Sequence, residues 1–118
     1  MGLMTLKAKR ISLQNKLISF CSSLLKENFG KGPKNIKVKI LEDIIEFNIE
    51  GYLVTLEKTL LKDSGDADFV IEIRKKWFKK NKEFIKNQIH NIVGKEVDFV
   101  YTSIKPIEDS IKIILIIK

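Results

Sequence analysis

The chain has 118 residues and a formal net charge of +7, with 44% hydrophobic and 31% charged residues, six glycines and two prolines. Such a composition excludes disorder and low-complexity repeats, and the length suffices for one domain with its own core, without a disulfide or structural metal. Cys21 is the only cysteine, which excludes an intramolecular disulfide and a thiolate metal cluster and suits a reducing cytosol.

The first element is helical in pattern. Leu6, Leu13, Leu17, Phe20 and Leu24, flanked by Ile11, Ile18 and Leu25, predict an amphipathic helix from about residue 4 to Asn28. "LISFC" at 17–21 superficially suggests a lipoprotein signal. Phe20 stands where processing favours a small residue, and lysines and an arginine recur through the first 16 residues, so this reading is rejected.

"NFGKGPKN" follows at 28–35. Its glycines and lysines invite comparison with a phosphate-binding loop, but that loop needs strand, then glycines with Gly-Lys-Ser/Thr, then helix. Here the order is helix then strand, and no Ser or Thr follows a Gly-Lys pair. The segment is read as a stop and turn, with Gly30 ending the helix and Pro33 preventing its resumption. Lys31 and Lys34 remain candidates for an anionic contact.

"IKVKI" then alternates Ile36, Val38 and Ile40 with Lys37 and Lys39, and "IEFNIE" alternates Ile45, Phe47 and Ile49 with polar residues. Joined through Glu42–Asp43, they predict a hairpin with one buried face. Thr55 is a candidate N-cap for a short helix through "LEKTLLKD", with Gly65 beyond its end. A second long helix begins at Asp66 or Asp68, where carboxylates complement the helix dipole, and Gly94 ends it. Its expected buried face is Phe69, Ile73, Trp77, Phe84, Ile85, Ile89 and Ile92. Two more strands follow, Glu96 to Ile104 and Ser110 to Lys118, around a turn at Pro106, Glu108 and Asp109.

The predicted architecture is a single α+β domain over the whole chain: helix, hairpin, short helix, helix, hairpin. Its four-stranded, mainly antiparallel sheet carries two long helices on one face. The last strand is apolar on both sides, with Ile111, Ile113, Leu115 and Ile117 on one and Ile114 and Ile116 on the other. Either the short helix covers the second side, or two chains bury these faces together in a homodimer. The longest aliphatic run, Ile113 to Ile117, is far below the roughly 20 residues of a membrane span, and a soluble chain is expected.

Positive charge concentrates in the two helical segments, and "RKKWFKKNKEFIK" at 74–86 is its densest run. The aromatics fall on the predicted core face. Arg74, Lys75, Lys79, Lys82 and Lys86 are therefore read as a solvated face that could meet an anionic partner or a membrane surface. No nucleic-acid motif accompanies it, which makes nucleic-acid binding the alternative and not the leading reading. His90 is the only histidine and sits near a helix end, where the dipole gives it a structural role. The acidic pairs Glu42–Asp43, Asp66–Asp68 and Glu108–Asp109 all lie at turns or helix starts. No catalytic constellation, metal site or cofactor is read from the sequence, and no enzyme activity is expected.

The ordered series "ENFGKGPKNIKVKILEDIIEFNIEGYLVTLEKTLLKDSGDADFVIEIRKKWF" resembles the MpsC-like family of small bacterial proteins. That family is associated with a Na+-translocating, membrane-potential-generating system. The matching positions are Gly30, Gly32 and Pro33 of "FGKGP", Asp43 in the acidic turn, Gly51 and Glu57 of "GYLVTLEKTL", Gly65, and the "IRKKWF" helix start. The resemblance spans roughly residues 10 to 117. It departs from the family's frequent Leu-Thr-Pro before the glutamate, reading Leu53-Val54-Thr55-Leu56, which bears on where the short helix begins. The resemblance implies structural roles for the signature residues and carries over no catalytic residue. It implies a soluble, non-enzymatic accessory or regulatory protein of a membrane cation-transport system, cytoplasmic or peripheral at the membrane, with transporter subunits as partners. A small nucleic-acid-binding protein and a self-associating structural module are the alternatives.

Overall fold

The computed structural model describes residues 6–62 and 65–118, with the side chains of Leu6 and Lys7 outside the description. Seven elements run in the order α1 (Leu6–Phe29), β1 (Asn35–Leu41), β2 (Ile44–Glu50), α2 (Thr55–Leu60), α3 (Asp66–Val93), β3 (Val97–Lys105) and β4 (Ser110–Ile117). The four strands form one antiparallel sheet in the order β1-β2-β4-β3, so the two hairpins lie side by side and join through β2 and β4. The fold is the α+β arrangement expected from the alternation of period-2 and period-3.6 patterns.

The hairpins interlock at both ends. Gly51 N donates to Asp109 O at 2.8 Å, and Ile117 N donates to Asp43 O at 2.6 Å, so each turn's backbone is satisfied by the other hairpin. Glu42 and Asp109 adopt positive φ, 54° and 51°, to close the two turns. The inner sheet face buries Val38 and Ile40 of β1, Ile45, Phe47 and Ile49 of β2, Val97 of β3, and Ile111 and Leu115 of β4. Against it α1 packs Leu17, Cys21 and Leu25, and α3 packs Val70, Ile85 and Ile89.

β3 carries a bulge between Phe99 and Tyr101. The extra residue, Val100, shifts the alternation, so that Phe99 pairs with Leu115 on the inner face but Tyr101 pairs with Ile114 on the outer one. Near the other edge, Gln14 Oε1 accepts from the Ile40 backbone N at 3.0 Å. Because α1 runs antiparallel to β1, its first two turns extend beyond the Gln14 contact toward and past the end of the sheet, with Leu13 still packed against the core. That projection contributes to the long axis of 58 Å, against 23 and 22 Å in the other directions.

Three expectations need correction. Of the expected α3 core face, Ile85 and Ile89 are buried and Trp77 and Ile92 pack against the core, but Phe69, Ile73 and Phe84 are exposed, and Val70 and Arg74 are buried instead. The shift is less than one residue's step of about 100°: Val70 and Ile89 lie inward, and a rigid helix then leaves Phe69, Ile73 and Phe84 on the solvent side of the expected face. Secondly, α2 does not cover the outer sheet face. It packs on α3 in the helical layer, drawn there by its Glu57. Thirdly, Thr55 is not the N-cap of α2 but its first helical residue, with Val54 at the cap position. Valine has no side-chain acceptor; the start is closed instead by Val54 N donating to Glu57 Oε1 at 2.9 Å.

Candidate functional site

Arg74 is the residue whose environment departs furthest from its sequence context. Expected among the solvated lysines, it is 3% exposed, on the core side of α3. Burying a guanidinium is costly unless its charge and donors are met. Here Nε donates to Glu57 Oε2 at 2.7 Å, while Nη2 donates to Glu57 Oε1 at 2.6 Å and to the Tyr52 carbonyl at 3.1 Å. Its guanidinium carbon lies 3.6 Å from the Phe29 ring centroid and 4.9 Å from that of Tyr52. The fork-to-fork pairing with a 7% exposed carboxylate is the geometry in which arginine, unlike lysine, tolerates burial.

The surrounding residues come from every part of the helical layer. Phe29 and Asn28 end α1, and the Phe29 and Trp77 rings meet edge to face at 5.0 Å. Trp77 Nε1 donates to Asn28 Oδ1 at 3.2 Å. Asp109, from the β3–β4 turn, accepts from Leu53 N at 2.9 Å through its side chain. The cluster therefore ties α1, the chain after β2, α2, α3 and the second hairpin to one another. The guanidinium's Nε and Nη2 are taken up by Glu57 and the Tyr52 carbonyl, and the arrangement serves as a structural clasp. The Tyr52 hydroxyl is buried without a hydrogen-bond partner; burial, reinforced by nearby Glu57, pushes its pKa upward and keeps the phenol neutral. Phe29 and Tyr52 lie inside the quoted "FGKGP" and "GYLVTLEKTL" stretches, but nothing in the sequence marked them or Asp109 as neighbours of Arg74. The only pointer to them was Arg74 itself, four residues from Val70 on the core phase.

Gly30 and Gly51 adjoin this clasp and Glu57 is part of it, whereas Asp43 lies at the opposite end of the sheet. Gly30, at φ +81°, ends α1 with its N–H donating to Lys26 O at 2.8 Å. Gly32 and Pro33 are half-buried in the turn that follows. Lys34 donates from its backbone N to Gly51 O at 3.2 Å, and its aliphatic chain lies directly over that glycine. A Cβ on Gly51 would come within 2.6 Å of Lys34 Cβ and Cγ, and Gly51 also has φ +68°. Asp43 contributes its backbone carbonyl to Ile117. Gly65 immediately precedes α3 at φ +103°. At these positions the chain sets backbone path and packing.

The remaining basic residues divide. Lys31 and the Lys34 terminus are exposed beside the clasp. Lys75, Lys79 and Lys82 are exposed along one stripe of α3. Lys86 continues that stripe but is half-buried and pairs with Asp98 Oδ1 at 2.7 Å. Lys118 bonds the other oxygen of Asp98 at 2.6 Å, and these two hydrogen bonds, that of Lys118 first, hold the Asp98 pKa down at about 2. Beside the lysine stripe runs a second one: Phe69, Ile73, Lys76, Lys80 and Phe84, spaced by four, three, four and four residues, all exposed. The outward surface of α3 is thus a lysine-rich field, interrupted by the exposed acids Asp68, Glu72 and Glu83, with three large apolar side chains set in it.

Between α1, α3 and the sheet lies an apolar cavity of about 70 Å³, bordered by Phe20, Leu24, Trp77, Phe78, Phe99 and Ile113. Its only charged neighbour, Arg74, is committed to Glu57. Cys21 also borders it, and burial pushes that thiol up to about 12, away from nucleophilic chemistry. Among the described residues no group of three or more His, Cys, Asp or Glu is placed to hold a metal ion. No helix among them is long and apolar enough to cross a membrane.

The family model described as Na+-translocating membrane potential-generating system (MpsC) matches residues 9–118, nearly the whole chain. No curated protein and no solved structure matches significantly.

Proposed function

The chain belongs to the MpsC family, and on that premise we propose that it is a cytoplasmic, non-enzymatic accessory or regulatory component of a membrane-potential-generating cation-transport system, held at the membrane by its partners. The observation that carries this reading is the outward face of α3. Phe69, Ile73 and Phe84 stand in water among Lys75, Lys76, Lys79, Lys80 and Lys82. Exposed aromatics within a predominantly basic field, in which Glu72 and Glu83 are the exposed acidic minority, suit a docking surface for an acidic partner at a membrane, where apolar anchors supply affinity and lysines steer the approach.

The test is co-purification with the membrane subunits at native expression, together with membrane potential in a deletion strain. Association is expected for the natural protein and is expected to be lost when Lys75, Lys79 and Lys82 are replaced by Glu, with the fold retained. Absence of association, with unchanged potential on deletion, refutes the proposal. The lysine stripe also supports a second reading, non-specific nucleic-acid binding. It requires strongly salt-dependent binding in an anisotropy assay that the same triple charge reversal abolishes; no binding at low salt removes it.

A further inference from the structure

We propose that the protein is a homodimer whose two sheets pack against each other through the face that carries no helix. The residue rows across that face follow from the strand registers. The first row reads Leu41, Ile44, Ile116, Asp98, and the second Lys39, Glu46, Ile114, Tyr101. The third reads Lys37, Asn48, Lys112, Ser103. The apolar residues therefore do not scatter. Leu41, Ile44, Ile114, Ile116 and Tyr101 form one contiguous patch at one end of the sheet.

This patch lies open in the single chain. Leu41 is 62% exposed, Ile44 and Tyr101 nearly half, and Ile116 over a third. α2, the element nearest in sequence that could have covered it, is held in the other layer by the bond between Glu57 and Arg74. The patch leaves on the order of 400 Å² of apolar side chain in water, the size of the largest patch on a typical monomer, which is often an interaction site. A stable dimer buries roughly 800 Å² per partner; this patch would be its apolar centre, and the polar residues around it on the same sheet face would supply the rest.

The border selects the occupant. Around the patch stand Lys37, Lys39 and Lys112 together with Glu46 and Asp98, and Glu46 already bonds Lys112 at 3.3 Å across the strands. Mixed charge of this kind is what a surface needs to pair with itself across a two-fold axis. A lipid surface or nucleic acid would call for mainly one sign, which this protein places on α3 instead. Two sheet faces stacked about 10 Å apart also give Ile114 and Ile116 the second buried side that an all-apolar strand requires.

Sedimentation equilibrium of the full chain across micromolar concentrations tests the inference. The natural protein is expected at twice its monomer mass. Ile44→Lys and Ile116→Lys are each expected to weaken the dimer by about 100-fold, the size of a central contact, with far-UV circular dichroism unchanged. Should either variant fail to fold, Leu41→Lys, at the strand's open end, serves the same purpose. Phe69→Lys on α3 is expected to leave the dimer intact, which separates this interface from the docking surface proposed above. A natural protein that is monomeric throughout overturns the proposal. So does a dimer that survives lysine at these outer-face positions or is lost on substitution of α3.

Discussion

Replacing Arg74 by alanine removes the cation from a site where the Glu57 carboxylate stays behind, 7% exposed and stripped of two of its hydrogen bonds. An uncompensated buried charge costs about 3–5 kcal/mol, and the lost stacking against Phe29 adds to it. The Arg74→Ala variant is accordingly expected to lose about 3–5 kcal/mol in urea unfolding at neutral pH, at an unchanged denaturant slope. For a domain with an ordinary total stability of about 5–15 kcal/mol, that is a large fraction of the whole. Glu57→Leu alone is expected to be comparably harmful, since it strands Arg74 and frees Val54 N. The Arg74→Ala, Glu57→Leu pair removes both charges together, and its loss is expected to fall short of the summed single losses by about 2–3 kcal/mol. Because the pair is buried, 1 M salt is expected to change these differences little. Lys79→Ala, on the exposed stripe, is the control and is expected within about 0.5 kcal/mol of the natural protein. An Arg74→Ala cost below about 1 kcal/mol, with additive effects in the cycle, would falsify the clasp and return Arg74 to the solvated lysine field.

Tyr52→Phe removes a hydroxyl that has no partner, so it is expected to be neutral or to stabilise by up to about 1 kcal/mol in the same assay; a clear loss would mean the hydroxyl is bonded. Gly51→Ala is expected to cost more than Gly94→Ala, by about 1 kcal/mol or more. Both sites have positive φ, which alone costs an L-residue about 1–2 kcal/mol, but only at Gly51 does the new Cβ meet Lys34; equal losses would refute the close approach. The Asp98 carboxyl is expected to titrate near 2 by NMR, well below its ordinary 3.8, and Lys118→Ala and Lys86→Ala are each expected to raise it. Since its folded pKa is depressed, its stabilising contribution is fully present above pH 4 and disappears as pH falls through about 2. An unshifted titration would show that the two lysine contacts do not persist in solution.

The order of elements was legible because helix, strand and turn preferences are short-range. Val38, Ile40, Ile45, Phe47 and Ile49 alternate without interruption, and all five are buried. Gly30 and Gly94 end helices where they stand, since left-handed backbone at a helix end is a local requirement. The exposure of Lys75, Lys79 and Lys82 was legible for the same reason. The candidate docking surface was not, because its anchors Phe69, Ile73 and Phe84 were assigned to the core. α3 carries apolar residues on two adjacent stripes, and hydrophobic spacing cannot choose between phases that both repeat correctly. The lysines bordering Arg74 made a buried guanidinium the less economical choice until its partner was seen.

The amino-acid sequence by itself determined two long helices, two hairpins, their order and the family, all of which rest on spacing within a few residues or on an ordered set of marker positions. Tertiary structure alone decided the phase of α3, the outward turn of Tyr101 and the location of α2. Each of those depends on groups far apart in the chain. Glu57 reaches Arg74 across 17 positions, and the Val100 bulge is recognised only against the register of β4. A charge can be buried only where its counter-charge is delivered, and that delivery is a property of the folded chain.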